Sequence, residues 1–335
     1  MSNQISVNYR LFILSIFFIF YPCFIFSQEK AKPKNGDGIT VFLQRYNRNT
    51  PALRKKFIEL NKGKLGKNNT LILGVTYTLP PLENELSSKK RDKTQGTEPL
   101  FGKQYASYKI VSNKLEGASF YLVSGHGGPD PGAIGTMNGH QLHEDEYAYD
   151  IILRLARNLL MNGAKVHIII QDAKDGIRNQ LYLNNSKRET CMGKAIPIGQ
   201  VARLKQRCDK INSLASADKS NYKRAIFIHV DSRGKQKRTD VFFYHSKNSL
   251  SKRLAKQMKS TFSHKYDTHQ PGRGFRGTVG YRGLYVIEHT QIPLTFVELG
   301  NIQNSFDQQR LIHHNNRQAL ANWLCEGIIK DYTKK

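Results

Sequence analysis

Cysteine is scarce in this chain: four residues in 335, with no pair in a Cys-x-x-Cys spacing. A zinc site built on thiolates is therefore excluded. Cys23 lies in an apolar N-terminal stretch, which leaves Cys191, Cys208 and Cys325. Three thiols do not build a disulfide scaffold, although an export context permits a Cys191–Cys208 bridge closing a local loop. Acidic residues are also few, 26 Asp and Glu against 52 Lys and Arg, for a net charge of +26. Such a surface attracts nucleic acid, anionic headgroups or acidic wall polymers alike and selects none of them. A clear bilayer-spanning apolar run is missing as well. Leu11–Phe20 is nearly continuous Leu, Ile and Phe, but the run is marginal for the ~20 residues a span needs and is broken by Pro22 and Cys23, an uncleaved membrane anchor being the alternative to a signal peptide. With Arg10 before it and Ser27 after it, residues 1–27 read as a secretory signal peptide cleaved near Ser27. The expected location is periplasmic or secreted. Export argues against nucleic acid as a partner, and no stable membrane span is expected after signal removal.

What is present falls into three parts. Residues 35–81 open on Gly36-Asp37-Gly38, continue through the apolar-periodic Ile39–Tyr46, and reach Leu53, Phe57 and Leu60 at helical spacing, stopped by Asn61 and Gly63. A strand-like Thr70–Leu79 follows and is ended by Pro80-Pro81. A strand, two helices and a strand in so few residues suit a binding module better than an enzyme. Residues 82–116 are Lys-, Ser-, Glu-, Gly- and Gln-rich in their first part and read as a flexible basic linker.

From residue 117 to 332 short apolar runs alternate with longer helical ones. The runs are Ser119–Val123, Tyr147–Met161, Lys165–Ile170, Pro197–Leu214, Arg224–Val230, Val241–Tyr244, Leu250–Phe262, Leu284–Ile287, Leu294–Val297 and Asp307–Tyr332. That alternation predicts an α/β fold, a mostly parallel sheet with helices on both faces. Residues 172–196 show no period and read as an inserted loop.

Four short strings carry the chemistry: Gly-His-Gly-Gly at 125–128, His-Glu-Asp-Glu at 143–146, Ile-His-Val-Asp at 228–231 and Val-Glu-Leu-Gly at 297–300. They offer His126, Glu144 and His229 as zinc ligands and Glu298 as a carboxylate free to act on water. Two imidazoles, one carboxylate and an open fourth position are the ligand count of a catalytic zinc site. His126, His229 and Glu298 each fall at or just beyond the carboxyl end of an expected strand, where open parallel sheets gather ligands. Glu144 comes from a helix start. Each has a plainer alternative: a turn histidine, a dipole-favoured acid with Glu146 as its nearest rival, a core histidine. Glu298 resists one, because a carboxylate beside a buried strand is costly unless used. Asp231 is open between orienting an imidazole and facing solvent.

These strings resemble the zinc-dependent N-acetylmuramoyl-L-alanine amidases that cut peptidoglycan. The resemblance runs over about residues 119–332. It includes Gly-His-Gly-Gly-Pro-Asp-Pro-Gly-Ala-Ile-Gly, the Glu144 segment, Gly163-Ala164-Lys165-Val166, Ile228–Ser232, Arg273-Gly274-Phe275-Arg276, and Val297-Glu298-Leu299-Gly300-Asn301 with Asn304. It implies Zn²⁺ on His126, Glu144 and His229, Glu298 as the catalytic carboxylate, and hydrolysis of the amide between N-acetylmuramic acid and L-alanine. Peptidoglycan glycan strands and stem peptides are the implied partners, and an activator protein is left open. Val123-Ser124 stands where the family commonly has Asp-Pro, and the 172–196 loop is long. Residues 35–81 resemble a LysM glycan-binding module through Gly36-Asp37, Phe42…Tyr46, Phe57–Asn61 and Leu73-Gly74…Tyr77–Pro80. The competing function is a non-catalytic peptidoglycan-binding adaptor retaining the amidase fold, and a complete ligand set with Glu298 argues against it. A further rival, a cationic polyanion binder, predicts binding that collapses with salt.

Overall fold

The computed structural model describes residues 29–80 and 94–334, and the chain divides into two units between Lys90 and Arg91. The expected signal peptide, residues 1–27, and residues 82–93 of the expected linker lie outside the described residues. In the smaller unit the helices Ile39–Gln44 and Pro51–Leu60 pack Phe42, Leu43 and Phe57 against Tyr77 and Leu79. Thr50 caps the second helix by accepting the Leu53 N–H at 3.3 Å, and Pro51 occupies its first position, where no amide donor is needed. Asn61 ends it. Its buried amide donates to the carbonyls of Phe57 (2.9 Å) and Thr78 (2.8 Å) and accepts the Thr78 N–H at 2.8 Å, tying helix to strand. The strand expected over 70–79 shortens to Tyr77–Thr78, and its antiparallel partner is Lys30–Ala31, upstream of the expected boundary at 35. A two-residue, mostly polar strand leaves no alternation to read.

The linker expectation over 82–116 is corrected in its second half. Gln95–Thr97 and Ser107–Lys109 pair antiparallel, and Phe101 and Leu115 are fully buried in the larger unit's core. Segment composition is too polar for an independent core, but two apolar anchors dock it onto a core that other residues supply.

Six strands build the larger unit's main sheet: β1 Ala118–Ser124, β2 Lys165–Ile168, β3 Tyr222–Asp231, β4 Val241–His245, β5 Val279–Tyr281 and β6 Leu294–Asn301. Their spatial order is β5-β4-β6-β3-β1-β2, and every pair is parallel except β4–β6. Alternation along each strand sorts its side chains to two cores. Phe120, Leu122, Ile226, Ile228, Val297 and Leu299 point to one, whereas Tyr121, Val123, Ala225, Phe227, Leu294 and Phe296 point to the other. The first core is covered by α1 Glu144–Met161, α3 Ser249–His269, α4 Ser305–Ile312 and α5 His314–Thr333; the second by α2 Gln200–Ala217 and the short helix Tyr285–His289. Strands buried on both faces read as continuous apolar runs, which is why the sheet was legible.

Two elements differ from expectation. Leu284–Ile287 lies mostly in the short helix Tyr285–His289, while the neighbouring edge strand is Val279–Tyr281. The helix expected over 307–332 breaks at His313, whose backbone is extended. There the fully buried Arg317 donates to the carbonyls of Leu311 and Ile312, satisfying acceptors that α4 leaves open at its end. The 172–196 segment is largely irregular, but Thr190–Cys191 and Lys194–Ala195 form a hairpin added to Ile170–Gln171. Cys191, Cys208 and Cys325 are buried free thiols, so the Cys191–Cys208 bridge does not form.

Candidate active site

Register places the candidate residues on one rim. Along the parallel β1–β3 and β3–β6 pairs, Ile228 lies opposite Ser124 and His229 opposite Glu298. His229 and Glu298 therefore share a level and a sheet face near the carboxyl ends of their strands, and His126 follows β1 by two residues. Glu144 is the first residue of α1, which begins where the hairpin Ile134–Met137/His140–His143 ends. His126, Glu144 and His229 come together with one potential ligand atom each, all within 4.8 Å of one another.

Close backbone approach makes that convergence possible. A side chain at Gly125 would meet the His229 ring at 2.4 Å, and one at Gly132 would meet both Glu144 Oε2 and the His126 ring at 2.7 Å. His126 itself is held at φ 55°, a left-handed conformation that costs a non-glycine residue energy and persists where its surroundings over-determine it. Here the Gly125 N–H donates to the Ile228 carbonyl at 2.7 Å, the Gly127 N–H to the Asp130 carbonyl at 2.7 Å, and Arg207 to the carbonyl of His126.

The Glu144 carboxylate sits between the two imidazoles. His229 Nδ1 donates to Oε1 at 2.9 Å, His126 Nε2 approaches Oε2 at 3.2 Å, and the backbone amides of Val230 (3.1 Å) and Ala133 (2.9 Å) donate to the same two oxygens. Burial works against the charged carboxylate, but the hydrogen bonds from His126 and His229 outweigh it and hold Glu144 well below the usual carboxylate range. Burial also opposes charge on His126, yet Asp130 and Glu144 lift its pKa to about 10, whereas burial keeps His229 below its ordinary value despite Glu144. The donor set, two imidazoles and a carboxylate packed so that a Cβ at Gly125 or Gly132 would collide with it, is of the kind that would hold Zn²⁺.

Glu298 has the opposite surroundings. It is 9 % exposed, and its Oε2 has no hydrogen-bond partner among the described residues. Burial, then the charges of Glu144 and Asp231, push its pKa well above the ordinary 4.5. A buried, unpartnered carboxyl beside two imidazoles is equipped to take up and release a proton.

Three partners escaped the sequence reading. The orienting carboxylate is Asp130, not Asp231: His126 Nδ1 donates to Asp130 Oδ2 at 2.9 Å, and Arg203 donates to the same oxygen at 2.6 Å. The hydrogen bond from His126 holds Asp130 at about 2. Asp231 pairs with Arg233 instead. The i,i+4 spacing within a glycine-rich turn was the available signal for Asp130; nothing local marked Arg203 or Arg207. Glu146, the rival ligand, pairs with Arg178 at 2.8 Å and stays out of the triad. Asn301 and Asn304 have structural contacts: Asn301 binds the 234–237 backbone, and Asn304 caps α4. Among the other histidines, His140 stacks on Tyr182 and His143 precedes α1.

A family model described as N-acetylmuramoyl-L-alanine amidase matches residues 121–330. The germination-specific N-acetylmuramoyl-L-alanine amidase of Bacillus subtilis is 24 % identical over 240 residues, covering 70 % of this chain and 90 % of that protein. An uncharacterized B. subtilis protein is 27 % identical over 229 residues, covering 66 % and 88 %. Among solved structures, the CwlD amidase of Clostridioides difficile in complex with the GerS lipoprotein is 22 % identical, with a TM-score of 0.49, over 65 % of this chain and 100 % of that one. No described helix is long and apolar enough to cross a membrane.

Proposed function

Because the chain belongs to the N-acetylmuramoyl-L-alanine amidase family, we propose that it is a zinc hydrolase cutting the amide between N-acetylmuramic acid and the L-alanine of peptidoglycan stem peptides, in cell-wall remodelling, daughter-cell separation or lysis. His126, Glu144 and His229 would hold the metal, and Glu298 would be the catalytic carboxylate. One observation supports this above all: three ligand-type groups within 4.8 Å at the sheet's carboxyl rim, with an unpartnered buried carboxyl on the adjoining strand. Zinc in that donor set supplies Lewis acidity, activating water and polarising the scissile carbonyl. Glu298 accepts a proton from the attacking water and, as the resulting acid, delivers it to the departing amine. Asp130 keeps the His126 ring in place, and the Gly125–Gly128 backbone leaves room for substrate.

The test is metal analysis and stem-peptide release from sacculi for wild type, His126→Ala and Glu298→Ala. The first variant is expected to lose zinc and release. The second should keep its zinc and lose release. Full zinc in His126→Ala, or release surviving in Glu298→Ala, overturns the assignment.

Residues 29–80 are assigned to glycan binding of the LysM kind, supported by the βααβ order and the Gly36-Asp37 and Tyr77–Pro80 strings. Co-sedimentation with sacculi, using the Glu298→Ala chain with and without residues 29–80, checks this; equal binding refutes it. Residues 1–27 are assigned to export, and N-terminal sequencing of the protein recovered outside the cytoplasm shows whether they are removed.

A further inference from the structure

The two residues after Glu144 begin a second constellation. Asp145, Glu146 and Glu189 each bring a carboxylate oxygen within 4.8 Å of the others, and they are 2 %, 1 % and 7 % exposed. Buried carboxylates this close repel one another, so charge or protons must compensate. The protein supplies little. Arg178 donates to Glu146 Oε2 at 2.8 Å but also pairs with Asp175 at 3.1 Å. Backbone amides complete the rest: Ser186 donates to Glu146 Oε1, and Gly128 to Glu189 Oε2 at 2.8 Å. Asp145 Oδ1 accepts the Glu146 N–H at 2.9 Å, while Oδ2, fully enclosed, has no hydrogen-bond partner among the described residues.

We propose that Asp145, Glu146 and Glu189 hold a hard divalent cation of the calcium class, separate from the His126–Glu144–His229 centre. The donor set is all oxygen, which selects calcium or magnesium over zinc. Ligand atoms within 4.8 Å of one another suit an ion with oxygen bonds of about 2.3–2.6 Å. The unpartnered Asp145 oxygen is the free ligand such an ion needs. The cluster also grips the loop that carries His126: Glu189 holds the Gly128 amide, and the Asp145 N–H donates to the Pro131 carbonyl at 3.3 Å. An ion there would brace that loop through its contacts at Gly128 and Pro131.

Zinc-loaded full-length protein is dialysed against calcium chloride, and in a parallel arm against magnesium chloride, and bound metal is counted alongside melting temperature. One further ion per chain and a higher melting temperature are expected, with calcium ahead of magnesium. The +26 net charge disfavours diffuse cation binding, so an ion retained reports a built site. Asp145→Asn and Glu189→Gln should each weaken the extra binding at least tenfold. His126→Ala should lose zinc and keep calcium, which separates this site from the proposed zinc centre. No calcium bound by wild type means that protons balance the cluster and overturns the proposal. Undiminished binding in both variants overturns it too.

Discussion

Asp150 and Glu298 are both buried carboxylates of the larger unit, and their surroundings could hardly differ more. Asp150, fully enclosed in α1, accepts from Arg154 Nε at 2.8 Å, Arg317 Nε at 2.6 Å and the Arg178 N–H at 2.8 Å. Arg154 and Arg317 extend the network to the Arg178 carbonyl, so helix α1, helix α5 and the inserted 172–196 segment are joined through one charge. Glu298, on the sheet rim, has an oxygen with no partner and two like charges near it. Burial of a charge is tolerated where both oxygens have donors and opposite charge lies against them, as around Asp150, and that arrangement holds elements together. Burial without an answer raises the energy of the charged form and leaves a group ready to exchange a proton. Asp150 is an acid whose charge is compensated by its partners, whereas Glu298 is one placed to exchange a proton.

Removing Arg317 strikes the first region hardest. Arg317→Ala strips a fully buried partner from Asp150 and the donor that closes the end of α4, and a loss of about 3–5 kcal/mol in unfolding free energy is expected. Denaturant titration measures it, and a change below about 1 kcal/mol would erase the distinction between the two sites. Asp130→Asn tests the candidate metal centre more gently. Loss of the carboxylate that accepts from His126 Nδ1 should weaken zinc binding by about 10–100-fold with the fold intact. Competition with a chelator gives the number; unchanged affinity would leave Asp130 without an orienting role.

The smallest effect is on stability at Glu298. Its folded pKa lies above the ordinary 4.5, so the folded protein holds that proton more tightly than the unfolded chain does. Stability contributed by the neutral form is therefore present at low pH and is lost as pH rises from 4.5 through the folded value. Gln cannot ionise. In metal-free protein, Glu298→Gln should melt slightly above wild type, by a margin that grows from mildly acidic to neutral pH. A margin of the opposite sign, or one flat with pH, would show that the carboxyl is satisfied after all.

The candidate site was legible where its residues sit next to strong local signals. Glycines around His126, the helix start at Glu144, and apolar runs ending at His229 and Glu298 are all properties of a few neighbouring residues. Asp130 carried only its i,i+4 spacing to His126 as a signal, and Arg203 and Arg207 were not legible, because their meaning comes from contacts with residues distant in sequence. The same holds for Phe101 and Leu115, two apolar residues in a polar stretch whose burial depends on a core built elsewhere.

Local chain properties thus determined the alternation of strands and helices, the two-faced burial of the sheet and the choice of four candidate site groups, since hydrophobic periodicity and turn residues act over a handful of positions. Tertiary structure alone decided which carboxylate lies between the imidazoles, which one is left unanswered, and which acids gather behind Glu144. Those outcomes depend on register between strands distant in sequence and on which side chains exclude water, and neither quantity exists until the chain has folded.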